Sequence, residues 1–273
     1  MNPRPGLLAL HAVLVGMAVL TLFPLVWMLS ASFMAPGESN ALPPRLVPDA
    51  PTLAHYVALF ERLDIARNFA NSAIVAVGTT LFSLLINSLA GYAFAKLRFV
   101  GRDRLFGLLL GALVIPAQVG MLPLFLLLKE IGLVNSLWAA IIPGMATVFG
   151  IFLVRQYALS IPDALLDAAR IDGAGEFEIY RTIVLPLLKP ILVTLAVFTF
   201  LSAWNDFMWP LIVLSDEARY TLPVALANLS GEHVQDTELM MAGAMITVLP
   251  TILVFLGLQR AYVRGLTMGG VKE

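Results

Sequence analysis

Few side chains in this sequence are equipped for chemistry, and their spacing excludes most of it. The histidines His11, His55 and His233 stand far apart, so they form no local metal-ligand cluster. There is no cysteine, which removes thiolate metal sites, cysteine nucleophiles and disulfides. A phosphate-cradling loop needs glycine directly before its lysine. Lys96, Lys129, Lys189 and Lys272 instead follow Ala95, Leu128, Leu188 and Val271. Neither H-E-x-x-H nor G-x-S-x-G occurs. The expectation is a chain that is not an enzyme and binds no cofactor or metal of its own. What remains is Asp206, beside Asn205, the one carboxylate inside a predicted membrane span. An ionisable group at that depth is a candidate contact for a polar solute. It equally suits a hydrogen-bonded helix break next to Pro210. Asn87, Tyr92 and Gln118 are further candidates for lining a translocation path.

The elements that must position these groups are apolar blocks. The chain has 273 residues, of which 59% are hydrophobic and 13% charged, with mean hydropathy +0.88. A soluble domain is roughly 45–50% apolar and about 25% charged. Net charge is −1, so no basic surplus exists to hold a nucleic acid. Runs near 7–33, 69–95, 105–128, 133–154, 191–214 and 240–258 each approach the ~20 apolar residues that a helix needs to cross a bilayer. They are too long and continuous for barrel strands. The first run is too long, and its leading segment too poor in basic residues, for a cleaved signal peptide. The reading is an all-α membrane protein of six transmembrane helices in one domain, lying in the lipid bilayer.

Six spans place both termini on one side. If that side is the cytoplasm, 12 of the 17 Lys and Arg residues fall inside and five outside, as the positive-inside rule requires. Residues 34–68 then form a proline-rich extracytoplasmic loop with a short amphipathic helix around Tyr56–Leu63. Ser215–Glu238 reads as a polar outer segment, and Trp204 and Trp209 as interfacial anchors. Pro116, Pro123, Pro143 and Pro250 are expected to kink their spans.

The longest inner segment, 155–189, is the informative one. From Ser160 to Pro190 it reads SIPDALLDAARIDGAGEFEIYRTIVLPLLKP. Ser160 and Asp163 fit a capping box and Pro162 the start of a helix. Gly173 offers the left-handed position that stops that helix. A second short helix is predicted from about Glu176 to Ile183, with Pro186 at the start of span five. Asp167 with Arg170, and Glu178 with Arg181, are spaced to pair along helix faces. Ala168, Ala169 and Ala174 let another backbone approach. The segment is either a compact knob made to enter a groove or a helix pair resting on lipid.

Asp167-Ala168-Ala169, then Gly173, then Ile183, Leu185 and Pro186 match the E-A-A-x3-G-x9-I-x-L-P pattern of a coupling loop, with Asp in place of Glu. On these residues the chain resembles the permease subunits of binding-protein-dependent ABC importers. The runs Asn71–Phe106, Trp204–Leu214 and Tyr220–Thr267 are similar to the carbohydrate-uptake subgroup, the smaller maltose-type or glycerol-3-phosphate-type permeases. The resemblance implies a type I ABC importer permease fold in the bacterial cytoplasmic (inner) membrane. It implies a coupling site at Asp167, Ala168, Ala169, Asp172, Gly173, Ile183, Leu185 and Pro186. It also implies a second permease subunit, two ATP-binding subunits that carry ATP and Mg, an extracytoplasmic solute-binding protein, and a carbohydrate substrate moved by ATP-driven alternating access. The rival reading is an ion-coupled carrier of a small polar solute. Such carriers bury several ionisable groups near the midplane, whereas only Asp206 is available here.

Overall fold

The computed structural model describes residues 5–43, 45–232 and 236–267, and every regular element among them is helical. Among the described residues five helices are long and apolar enough to cross a membrane, or six if one bent helix pair counts as a single span. The first, second and sixth apolar blocks correspond to α1 (Pro5–Ala31), α3 (Ile65–Lys96) and α13 (Thr237–Thr267). The predicted amphipathic helix is α2 (Ala54–Leu63).

The three middle spans differ from the straight rods expected. Block three is two helices, α4 (Arg102–Ala112) and α5 (Ala117–Glu130), bent by 104°. Pro116, at φ −59° and ψ 133°, stands at the break. Proline has no N–H to donate and disfavours helical geometry for the residue before it, so a run uniform in hydropathy can break there. Pro123, by contrast, stays inside α5. Block four begins and ends about one turn later than 133–154. It comprises α6 (Leu137–Ile141), a 3-10 turn holding Pro143, and α7 (Val148–Ala158). Thr147 caps α7, its Oγ1 accepting the Gly150 N–H at 3.0 Å.

Block five starts earlier than 191 and ends before 214. The helix α9 (Glu176–Ile179) runs through a π turn, Tyr180–Val184, into α10 (Leu185–Trp204). Pro186 therefore does not mark a fresh start. Its ring would collide with the carbonyl of Thr182 in a regular α-helix, and widening the preceding turn is one way such a helix relieves that clash. The helix stops at Asn205, and α11 (Met208–Val213) follows. The segment expected to be a polar outer stretch contains α12 (Leu222–Glu232), whose Leu222, Val224, Ala225 and Leu226 are buried.

The chain forms two compact units, Met1–Ala66 with Ala225–Pro250, and Arg67–Val224 with Thr251–Glu273. In the first, every residue of α1 from Gly6 to Val26 is exposed, as a lipid-facing rod should be. The following loop is folded onto polar anchors: the buried His55 meets the Met34 carbonyl at 2.9 Å, and the buried Glu238 carboxylate accepts the Ser39 N–H at 2.8 Å. In the second unit α3 and α7 touch closely. A Cβ on Gly91 would meet Val154 Cγ1 at 2.6 Å and the Arg155 backbone nitrogen at 3.0 Å, so only glycine fits there.

Candidate functional site

The site is the elbow between α7 and α10, and its central helix is α8 (Asp163–Ile171). The expected capping box does not form. Ser160 Oγ donates back to the Tyr157 carbonyl at 2.7 Å, and Pro162 precedes the helix without a side-chain cap. The far end follows expectation. Gly173 has φ +89°. The Gly173 N–H donates to the Arg170 carbonyl at 3.1 Å and the Ala174 N–H to the Ala169 carbonyl at 3.0 Å. Those two bonds are the paired reverse bonds of a Schellman stop, which needs a left-handed residue between them.

α8 is fastened through its inner face. Leu166, 1% exposed, enters a buried cluster with Tyr92 and Ala95 of α3, Val154 and Ala158 of α7, and Ile179, Val184, Leu188 and Leu195 of the α9–α10 rod. Burying one such leucine contributes about 1.5–3 kcal/mol. The outer face is free: Asp167, Ala168, Asp172 and Gly173 are exposed. Ile171 at 86% and Phe177 at 71% stand out as apolar tips. The motif residues thus divide. Asp167, Ala168, Asp172 and Gly173 present a surface, while the half-buried Ala169, Ile183 and Leu185 pack against the buried cluster. Pro186 is exposed on the widened turn.

Charge pairing is partly as anticipated. Arg170 Nη1 donates to Asp167 Oδ1 at 2.7 Å. Its Nε donates to Glu176 Oε1 at 2.7 Å, and this bond above all holds the guanidinium pKa above its ordinary value. No ion pair joins Glu178 to Arg181 among the described residues; the carboxylate that reaches α8 is Glu176, two positions earlier. Lys96, whose side chain is 5% exposed, donates to Asp163 Oδ1 at 2.7 Å and to the Ile161 carbonyl at 2.6 Å. Its hydrogen bond and charge hold the Asp163 carboxyl below the usual carboxylate range.

The five candidate path residues are not brought together. Tyr92 lies at the elbow, 3% exposed, its hydroxyl donating to Glu176 Oε2 at 2.8 Å. Asn87 is fully buried, donating to Ser83 Oγ at 2.7 Å and accepting the Thr147 N–H at 3.1 Å. Gln118 is exposed in the first turn of α5, just past the 104° bend. Asn205 Nδ2 donates to the Leu201 carbonyl at 2.8 Å, and Asp206 Oδ1 accepts the Trp209 N–H at 3.3 Å. The last two tie off the break between α10 and α11. Trp204 and Trp209 are buried rather than interfacial: Trp204 stacks on Phe200 and meets the edge of Phe69, and Trp209 Nε1 donates to the Ala139 carbonyl at 2.9 Å.

Sequence reading missed Ser88, Lys96, Arg155 and Glu176. Ser88 Oγ shares a hydrogen bond with Tyr180 Oη at 2.7 Å. Arg155 Nε donates to the Phe94 carbonyl at 3.2 Å, with its guanidinium 4.0 Å from the Phe106 ring centre. A spacing signal existed for two of the four: Ser88, Tyr92 and Lys96 recur every four residues and so share one face of α3.

Helices long and apolar enough to cross a membrane, with no strand among the described residues, are those of a multi-pass membrane protein. The model of a protein family described as the inner membrane component of binding-protein-dependent transport systems matches residues 87–268, and the chain belongs to that family. It is 38% identical over 258 residues to the arabinooligosaccharides transport system permease protein AraQ of Halalkalibacterium halodurans, covering 93% of this chain and 92% of that one. It is 32% identical to the lactose transport system permease protein LacG of Rhizobium radiobacter, over 96% of this chain and 95% of the other. A crystal structure of a bacterial ABC transporter that imports the acidic polysaccharide alginate superposes with TM-score 0.83 at 25% identity, covering 95% of this chain and 98% of that one. The fold is that of a type I ABC importer permease, and the protein is a multi-pass component of the inner membrane.

Proposed function

We propose that this chain is one permease subunit of an ABC importer for a carbohydrate, working by ATP-driven alternating access. The supporting observation is the division of the elbow. A short helix that exposes Asp167, Ala168 and the apolar tip Ile171, with Phe177 exposed on α9 beside it, is riveted by Leu166 to three membrane helices. Exposed apolar side chains on a rigid polar helix mark a protein-binding surface. In this reading the elbow docks in a cleft of an ATP-binding subunit. Two such subunits hold the ATP and Mg, a second permease completes the pathway, and an extracytoplasmic binding protein delivers the solute. Closure of the ATPase pair pushes the elbow, which shifts the bundle between two states of unequal affinity for it. The carbohydrate class rests on what the relatives' names say they carry.

Gly173→Val tests the docking role. Nothing lies within 4 Å of a Cβ there, so the change fills no space and acts only through the left-handed backbone. That conformation costs a non-glycine residue roughly 1–2 kcal/mol, and more for a β-branched one. The expected outcome is normal membrane insertion with loss of ATP-dependent uptake in vesicles. Normal uptake counts against docking. Uptake that persists without ATP and collapses with an ion gradient would favour a secondary carrier instead.

A further inference from the structure

Docking alone does not move a membrane helix; the docked part must be stiffly joined to what it moves. The structure places that joint on one face of α3. Ser88, Tyr92 and Lys96 follow one another at helical spacing, and all three reach the elbow. Ser88 meets the Tyr180 hydroxyl in the π turn at 2.7 Å. Tyr92 donates to Glu176 at 2.8 Å, and Glu176 in turn accepts from Arg170 near the end of α8 at 2.7 Å. Lys96 holds the start of α8 through the Ile161 carbonyl at 2.6 Å and Asp163 at 2.7 Å. The short helix is thus gripped at both ends, and the rod that continues into α10 is gripped at its widened turn. Tyr92 and Lys96 are nearly closed off from solvent, with 3% of the residue and 5% of the side chain exposed respectively. The Glu176 and Asp163 carboxylates that they meet are exposed, so salt still screens these contacts in part.

We infer that the Ser88–Tyr92–Lys96 stripe, with Glu176 as its relay, is the strut that makes α8 and α3 move as one body. The inference rests on the proposed function for the push that arrives at α8. These are positioning residues: none belongs to the exposed docking face. The strut assigns Tyr92 a mechanical role, and it explains why a tyrosine deep in an apolar cluster keeps a charged partner. A buried hydroxyl without its acceptor would cost more than the bond itself contributes.

The test uses the complete transporter in lipid nanodiscs. Because the chain has no cysteine, a spin-label pair can be introduced at exposed Leu81 of α3 and exposed Ala164 of α8. The strut requires one narrow distance, unchanged by a non-hydrolysable ATP analogue. Tyr92→Phe keeps the ring beside Tyr180, and Glu176→Gln keeps the shape. Each should broaden that distance and make it depend on nucleotide. Amide exchange across α8 should rise about fivefold, the yield of one lost hydrogen bond. The double variant should do little more than either single one, because both cut the same relay, and Lys96→Arg should leave the distance narrow. The idea is overturned if the unaltered chain changes this distance on binding nucleotide, or if Tyr92→Phe and Glu176→Gln alter neither width nor exchange. Cross-linking through Ile171→Cys in the same preparation reads docking separately. Failure to capture an ATP-binding subunit sinks the docking proposal, while the distance widths still report on the strut.

Discussion

Within the unit Arg67–Val224 with Thr251–Glu273, the elbow end and the opposite end are held by different means. At the elbow, twelve buried side chains, eleven from α3, α7, α8 and the α9–α10 rod with Ile161 from the turn before α8, form one cluster, and ion pairs and a polar stripe reinforce it. At the opposite end the buried cluster is Leu128, Ala139, Trp209, Val213 and Leu214, contributed by short helices meeting at breaks. There the hydrogen bonds run largely to backbone: Trp209 Nε1 to the Ala139 carbonyl, the Asn135 N–H to the Val213 carbonyl at 2.7 Å, and the Ser215 and Asp216 N–H groups to Asn135 Oδ1 at 3.1 Å. Arg219 also donates to the Asn135 carbonyl. Long helices crossing a common core resist bending, whereas short helices joined by capped breaks can pivot about the breaks. Under the proposed docking at α8, the contrast fits a lever whose stiff arm is the elbow and whose joints are the breaks at the other end.

The sharpest way to break this contrast is to hollow each cluster in turn. Leu166→Ala should cost about 2–5 kcal/mol, because a fully buried leucine in a packed site leaves a cavity. Val213→Ala, equally buried, removes less side chain and should cost about 2 kcal/mol. Thermal unfolding of the purified protein in detergent ranks the two. Uptake separates them further: the α8 change should uncouple transport even where the chain remains folded. Equal effects on uptake would mean that the elbow is no stiffer a lever arm than the joint.

Composition and block lengths made the helical class and the apolar spans legible, and Gly173 was legible because a left-handed stop selects its residue. The 104° bend was not. Leu113–Pro116 differs from its flanks only by a proline, and Pro123, in the same block, stays helical, so the presence of a proline does not by itself mark the break. Trp204 and Trp209 misled for a related reason. Aromatic residues near the end of an apolar run suit an interface, yet here a helix break turns both rings inward. The role of Tyr92 was hidden by its distance from the loop motif, because a contact across 84 residues leaves no local trace.

A smaller effect examines the joint itself. Asp206 Oδ1 holds the Trp209 N–H, so Asp206→Ala removes a cap and should cost about 1 kcal/mol, while Asp206→Asn retains an acceptor and should cost less. Trp209→Phe leaves the buried Ala139 carbonyl without its donor and should cost about 1–3 kcal/mol. The informative measurement is uptake set against unfolding temperature. If Asp206 only closes the break, Asp206→Asn preserves both. If it also meets solute, Asp206→Asn lowers uptake with the unfolding temperature unchanged.

The smallest effect concerns acidity at the elbow. Lys96 holds the folded-state pKa of Asp163 below the usual carboxylate value. A depressed carboxylate stabilises the fold above its unfolded pKa of about 3.9 and loses that contribution only as pH falls through the lower folded value. Between about pH 5 and about pH 8 the Lys96–Asp163 rung should therefore be constant, and amide exchange in α8, corrected for its intrinsic pH dependence, should be flat. Asp163 is itself exposed, so even below about pH 4 the loosening should be slight and reduced further by salt. The Ile161 carbonyl remains as an acceptor for Lys96 that acid does not remove. A loosening of α8 centred near pH 6 would show that some other group governs the stiff end of the lever, and Asp163→Asn, which abolishes this titration, would then leave that transition in place.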